Sequence, residues 1–409
     1  MSGRPGGQET EQTEQAPGGD EASDTVRRPP ILLLTPVDLD TNGIGALFLR
    51  ELLSSSPLDI VVQREPQYLM ENGVMGGGRF GSLARATSNR VPFFHALRLR
   101  LFSTFSLDRR VAAVAAAADA LGAKTIWITA SSPEVILVAE RLAAMGRDLR
   151  VMVWDDPSYS AYNLGLDPSF QHELMERFGS LLKKARRISV IGRNMQEMYA
   201  EKFGVCSDII RHGIDIKNIH FRENTVNKNE LNIVFAGSLY SKMEWNSFIS
   251  ALESIEFNLE NIRLKVSFMG DFPVTGARRS SGVDFLGRKS FQEAMTILSE
   301  MDIGYLPYWF DSSHETVART SFPSKLSAYA TAGLAVFHHA PAYTEVTTLM
   351  QRLPFGVACP SLEESDIIDC IRRLKDMLFT DECIQARQDL LDKEIDKDVM
   401  NDRFSVFLS

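Results

Sequence analysis

Cysteine is scarce in this chain of 409 residues, with four in all. Cys206, Cys359, Cys370 and Cys383 stand far apart, without the Cys-x-x-Cys spacing of a zinc site or redox dithiol. That usage fits a reducing, cytoplasmic setting. No apolar run approaches the ~20 residues that a membrane-spanning helix needs, and no charged-then-apolar leader opens the sequence. Any membrane contact is therefore expected to be peripheral. Histidine is sparse too, and His95, His212, His338 and His339 are not spaced as metal ligands. A basic excess is also missing: 44 Lys and Arg face 53 Asp and Glu, for a net charge of -9. This argues against nucleic acid as a partner. What is present is the composition of an ordinary α/β protein, 44% hydrophobic and 24% charged.

Residues 1–29 are rich in Gly, Glu, Gln, Thr and Pro, with almost no large apolar side chain, and are expected to form a disordered leader. From Pro30 the pattern becomes regular. Ile31–Asp38 (ILLLTPVD) reads as a buried strand, and Gly43 and Gly45 lead into a helix with Leu47, Phe48, Leu52 and Leu53 on one face. Further strands are expected at 60–62, 125–129, 151–154 and 187–191, with helices at 110–121, 133–145 and 172–185. Such alternation implies a parallel, doubly wound sheet. At His212–Asp215 it gives way to a polar run, and a second alternation starts near Asn232. Its strands are expected at 232–236, 264–268, 284–286, 303–307 and 334–337, with helices at 245–255 and 291–301. The division is thus a first domain over 30–215, a second over 216–390, and a final helical stretch over 391–409. Ligands of doubly wound sheets lie beyond the carboxyl ends of the strands, so two facing halves define one central cleft.

The stretch Met301–Val346 carries the most chemistry. A short strand ends at Pro307. Ser321–Pro323 then open a helix with proline near its first turn, and Gly333 falls where a helix ends in the left-handed conformation. Ser324 and Lys325 add a hydroxyl and an ammonium to the free N–H groups of the helix start, which makes a site for phosphate or diphosphate. The order Phe322-Pro323-Ser324-Lys325-Leu326, then Tyr329, then Ala332-Gly333, then a strand and Pro341-x-Tyr343-x-Glu345-Val346, resembles the nucleotide-sugar half of GT-B glycosyltransferases of the bacterial GT4 type. The resemblance implies two Rossmann-like domains facing a cleft, a nucleotide-sugar donor on the second domain, no cofactor and no metal. It implies a glycan or lipid-linked acceptor on the first domain, in envelope or exopolysaccharide assembly at the inner face of the cell membrane. It also implies a final helix crossing back to that first domain. Carried over by position, it gives Gly237, Lys242, Phe322, Ser324, Lys325, Tyr343 and Glu345 as donor-binding candidates. Two positions depart from the family. Ser238 stands where arginine is often found, and Ala328 stands where a glutamate often binds the ribose; Glu345 is the candidate substitute acid.

A transferase of this kind needs a carboxylate or imidazole near the attacking hydroxyl if it inverts configuration. Asp40 follows the first strand and Asp155 ends the 151–154 strand, so both fall at carboxyl ends; Asp40 is placed first and Asp155 second. Gly43 and Gly45 would let the acceptor approach the backbone. Between Gly76 and Arg110 lie seven arginines and a single acid, interleaved with phenylalanines. Arg98, Arg100 and Phe102 of this segment are candidates for contact with an anionic membrane or a lipid-linked acceptor. Two alternatives share these residues. Gly43-Ile44-Gly45 hints at a nicotinamide-dependent oxidoreductase, but Phe48 takes the third glycine's place. The departures at Ser238 and Ala328 fit a non-catalytic scaffold that binds a glycan or partner.

Overall fold

The computed structural model describes residues 29–41, 43–56, 58–64, 92–217 and 229–409. Of the expected leader only Pro29 is among them. The part of the basic segment that holds Arg79, Arg85 and Arg90 also lies outside the described residues.

Among the described residues, thirteen strands form two sheets. The first holds β1 (Ile31–Thr35), β2 (Ile60–Arg64), β3 (Thr125–Thr129), β4 (Asp148–Met152), β5 (Arg187–Val190) and β6 (Asp208–Ile209). Its order is β2-β1-β3-β4-β5-β6, with every pairing parallel. The second holds β7 (Glu230–Ala236), β8 (Asn258–Leu259), β9 (Ile262–Met269), β10 (Val283–Phe285), β11 (Ile303–Pro307), β12 (Ala335–His339) and β13 (Gly356–Cys359). Its order is β10-β9-β7-β11-β12-β13, parallel throughout, with β8 added antiparallel to β9. Strands buried on both faces need continuous apolar runs, and β1 and β11 are buried at every position. Strand order reverses direction between β1 and β3 in one sheet and between β7 and β11 in the other. These are the switch points at which doubly wound sheets open a crevice.

Each sheet has its own core. Leu32, Leu34, Ile126, Ile128 and Val151 anchor the first. The second is aromatic, with Phe248 stacked on Tyr305 at 4.1 Å and Phe235 on Phe268 at 5.0 Å. The last helix, Lys397–Leu408, returns to the first sheet: Phe404 and Phe407 pack with Leu33, Phe48 and Trp127. It follows a π-helical turn at Leu391–Ile395, and Asp396 caps it by accepting from the Val399 N–H.

Several bounds differ from the sequence reading. β4 begins at Asp148 and ends at Met152, so Trp154 and Asp155 lie beyond the strand rather than at its end. Pro323 precedes the helix Ser324–Thr331 instead of lying in its first turn, and its side chain makes no capping bond. Phe102 is buried in the first core, not presented to a membrane, because a π-helical turn at Phe102–Ser106 turns its ring inward. Arg98 is not a membrane contact either: it bonds the Glu134 carboxylate at 3.1 Å, with both side chains largely buried. Arg100 pairs with Asp167 at 2.9 Å and lies over the Phe170 ring. Among the described residues no helix is long and apolar enough to cross a membrane.

Candidate active site

Two cavities of about 280 Å³ each open at the carboxyl ends of the strands. The first lies between the two halves. Ile44, Gly45, Phe48, Trp154, Asp155, Ile191, Arg211 and His212 come from the first half, and Phe322, Ser324 and Ser327 from the second. Gly45 fits closely there, since a Cβ would stand 3.1 Å from the Trp154 ring. The Trp154 indole N–H is buried with no protein acceptor among the described residues. The second cavity belongs to the first half and is lined by Arg98, Ser131, Ser132, Glu134, Asp155 and Tyr159, among others. Asp155 lines both.

The donor candidates divide by position. No side chain caps the helix Ser324–Thr331; the Leu326 N–H donates to the Pro323 carbonyl at 2.9 Å, which leaves those of Ser324 and Lys325 for an anion. Ser324 faces the interdomain cavity. Lys325 packs toward Gly237, where the backbone is left-handed at φ 97° and a Cβ would stand 3.2 Å from the lysine Cε. The ammonium lies 4.5 Å from the Tyr240 ring centroid and 3.4 Å from its hydroxyl. It has no carboxylate partner among the described residues, and burial lowers its pKa to about 8. Lys242 is directed elsewhere: its ammonium donates to the Thr275 carbonyl at 2.9 Å.

Phe322 lines the interdomain cavity with its ring against the Arg211 guanidinium, 4.4 Å away. Tyr343 lies under Arg319 at 4.7 Å and lines neither cavity. Glu345 is not available to a ribose. Its carboxylate is buried and accepts from the N–H groups of Arg193 at 2.9 Å and Asn194 at 2.7 Å, and from Arg211 at 3.0 Å. With Ala328 carrying no acid, neither position supplies the carboxylate that the family uses.

The base candidates separate as clearly. Asp40 is exposed in the loop after β1, its N–H bonded to the Asp38 carboxylate at 3.1 Å, and lines neither cavity. Asp155 is exposed where the two cavities open and lines both of them. Desolvation, then the charge of neighbouring Asp156, raises its carboxyl above the usual range. Gly43 caps the helix Ile44–Ser55 without lining either cavity. Sequence reasoning missed Arg211, His212, Trp154 and Glu134 as site residues. Arg211 and His212 come just after β6, and the carboxyl end of a strand was the signal that could have found them.

Two doubly wound sheets with a cleft between their carboxyl ends constitute the GT-B fold. Solved structures share it at low sequence identity. Sucrose-phosphate synthase from Thermosynechococcus elongatus is 12% identical, with 93% of this chain and 98% of that one covered and a TM-score of 0.61. An α,α-trehalose-phosphate synthase (UDP-forming) from Burkholderia xenovorans, in complex with glucose-6-phosphate, is 12% identical, covering 93% and 99% at a TM-score of 0.58. Anabaena HepE in complex with UDP-glucose is 14% identical, covering 92% and 99% at a TM-score of 0.58. No protein-family model and no curated protein matches the sequence.

Proposed function

We propose that this protein is a glycosyltransferase that moves a sugar from a nucleotide-sugar donor to an acceptor hydroxyl. The observation that carries the reading is Lys325: a half-buried ammonium with no carboxylate partner among the described residues, at an uncapped helix start and against Gly237. Its charge and the helix N–H groups would stabilise the diphosphate as it leaves, with no metal required in this reading. The acceptor oxygen attacks the anomeric carbon, the bond from that carbon to the phosphate oxygen breaks, and the nucleoside diphosphate departs. Asp155, raised by burial, is suited to take the hydroxyl proton if configuration inverts.

Thermal unfolding with nucleoside diphosphates and nucleotide sugars tests the donor site. Uridine diphosphate and UDP-glucose come first, because similar structures hold UDP sugars. A ligand at 100 times its Kd stabilises by about 2.7 kcal/mol, and Lys325→Ala should abolish that gain. No shift with any nucleotide on folded protein overturns the reading. A binding-only scaffold is the second reading, favoured by Ala328 and by the engagement of Glu345. Donor hydrolysis in the absence of acceptor would count against it.

Lys325 also sets a pH dependence. Its ammonium is charged below about 8 and is lost above it, so nucleotide affinity should fall as pH rises past 8. The stability of the free protein should show the opposite trend. Between that value and the unfolded lysine's ~10.4, the unfolded chain binds more protons, so this group makes stability rise with pH. Titrations of wild type and Lys325→Met from about pH 7 to 10 check both signs.

A further inference from the structure

We propose that the second cavity takes an uncharged sugar ring and rejects phosphorylated sugars. This deepens the transferase reading, on which it rests for naming the ring as the acceptor. The cavity is rich in hydrogen-bonding groups that suit a polyol: the hydroxyls of Ser131 and Ser160, the Asn163 amide and the Asp155 carboxylate. The Ser131 hydroxyl is buried without a protein partner among the described residues. One wall is aromatic and apolar, from Tyr159 and Leu164, and suits the C–H face of a pyranose.

Charge decides the class. Arg98 is the one cationic residue among those described that line the cavity, and Glu134 answers it at 3.1 Å. The helix Pro133–Ala144 starts at this cavity, but Ser132 caps it and Glu134 already occupies its first turn. A phosphate would therefore meet two carboxylates, Glu134 and Asp155, with the guanidinium already engaged. A neutral ring brings no formal charge to desolvate and can donate to Asp155.

Saturation-transfer NMR without nucleotide tests this with methyl α-D-glucopyranoside, galactopyranoside and mannopyranoside against glucose 6-phosphate, the phosphorylated sugar with which the similar Burkholderia synthase was solved. At least one methyl glycoside should bind about tenfold more tightly than the phosphate, a difference of ~1.4 kcal/mol. Glu134→Gln removes the counter-charge of Arg98 and should strengthen glucose 6-phosphate binding about tenfold. If that variant does not fold, Ser160→Arg makes the same change of charge from a half-exposed position. Preference for the phosphate in wild type, no change in either folded variant, or no binding of any sugar overturns the proposal. Nucleotide-induced stabilisation is read separately. Its absence alongside glycoside binding sinks the donor reading alone, and its presence without sugar binding sinks this inference alone.

Discussion

If configuration inverts, Asp155→Asn should lower turnover by about 10²–10⁴-fold, the range of a general base, while leaving donor affinity close to wild type. The reason is position. Asp155 is shared by the interdomain cavity and the second cavity, so an acceptor hydroxyl and a donor carbon can meet beside it. Its raised carboxyl also makes it a stronger base than an ordinary aspartate. Asp40→Asn should change turnover by no more than about twofold, because that side chain lines neither cavity. Stability separates this from a structural effect. An acid whose folded pKa is raised destabilises the fold as pH rises through that range, so Asn should not lower the melting temperature at neutral pH. Steady-state kinetics with the donor identified by thermal unfolding provide the check. Full activity in Asp155→Asn, or loss in Asp40→Asn, would move the base elsewhere.

The architecture was legible because parallel strands buried on both faces leave long apolar runs. Ile31–Thr35 and Ile303–Pro307 stand out for that reason. The helix Ser324–Thr331 was legible from local signals, Ser324 and Lys325 after Pro323 and Gly333 beyond the end. What failed was side-chain direction. Arg98 and Phe102 read as a basic aromatic surface, yet the helix and π-helical turn that carry them point one at Glu134 and the other into the core. Lys242 was read as a loop residue facing the donor, but it opens the helix Lys242–Ser254 and its long side chain reaches the Thr275 carbonyl. Glu345 sat in a motif loop, and its partners are more than a hundred residues away in the first half. Spacing along a chain holds no information about such distant partners.

Glu345→Ala should cost roughly 3–5 kcal/mol, the effect of breaking a buried ion pair by removing one partner. Glu345 and Arg211 are both 1% exposed. The substitution would leave the guanidinium short of one counter-charge and strip acceptors from the N–H groups of Arg193 and Asn194. Those N–H groups open the helix Arg193–Phe203 in the first half, whereas Glu345 opens the helix Glu345–Arg352 in the second. One carboxylate therefore caps a helix across the interface. Gly192 allows that approach, since a Cβ there would stand 2.6 Å from the Glu345 carboxyl carbon. Gly192→Ala should accordingly destabilise in the same way without touching any charge. Glu345→Gln, which keeps one carbonyl oxygen for an N–H, should lose less than Glu345→Ala. Urea unfolding of the three variants measures the order. A Glu345→Ala protein as stable as wild type but defective only in nucleotide binding would restore Glu345 to the donor site.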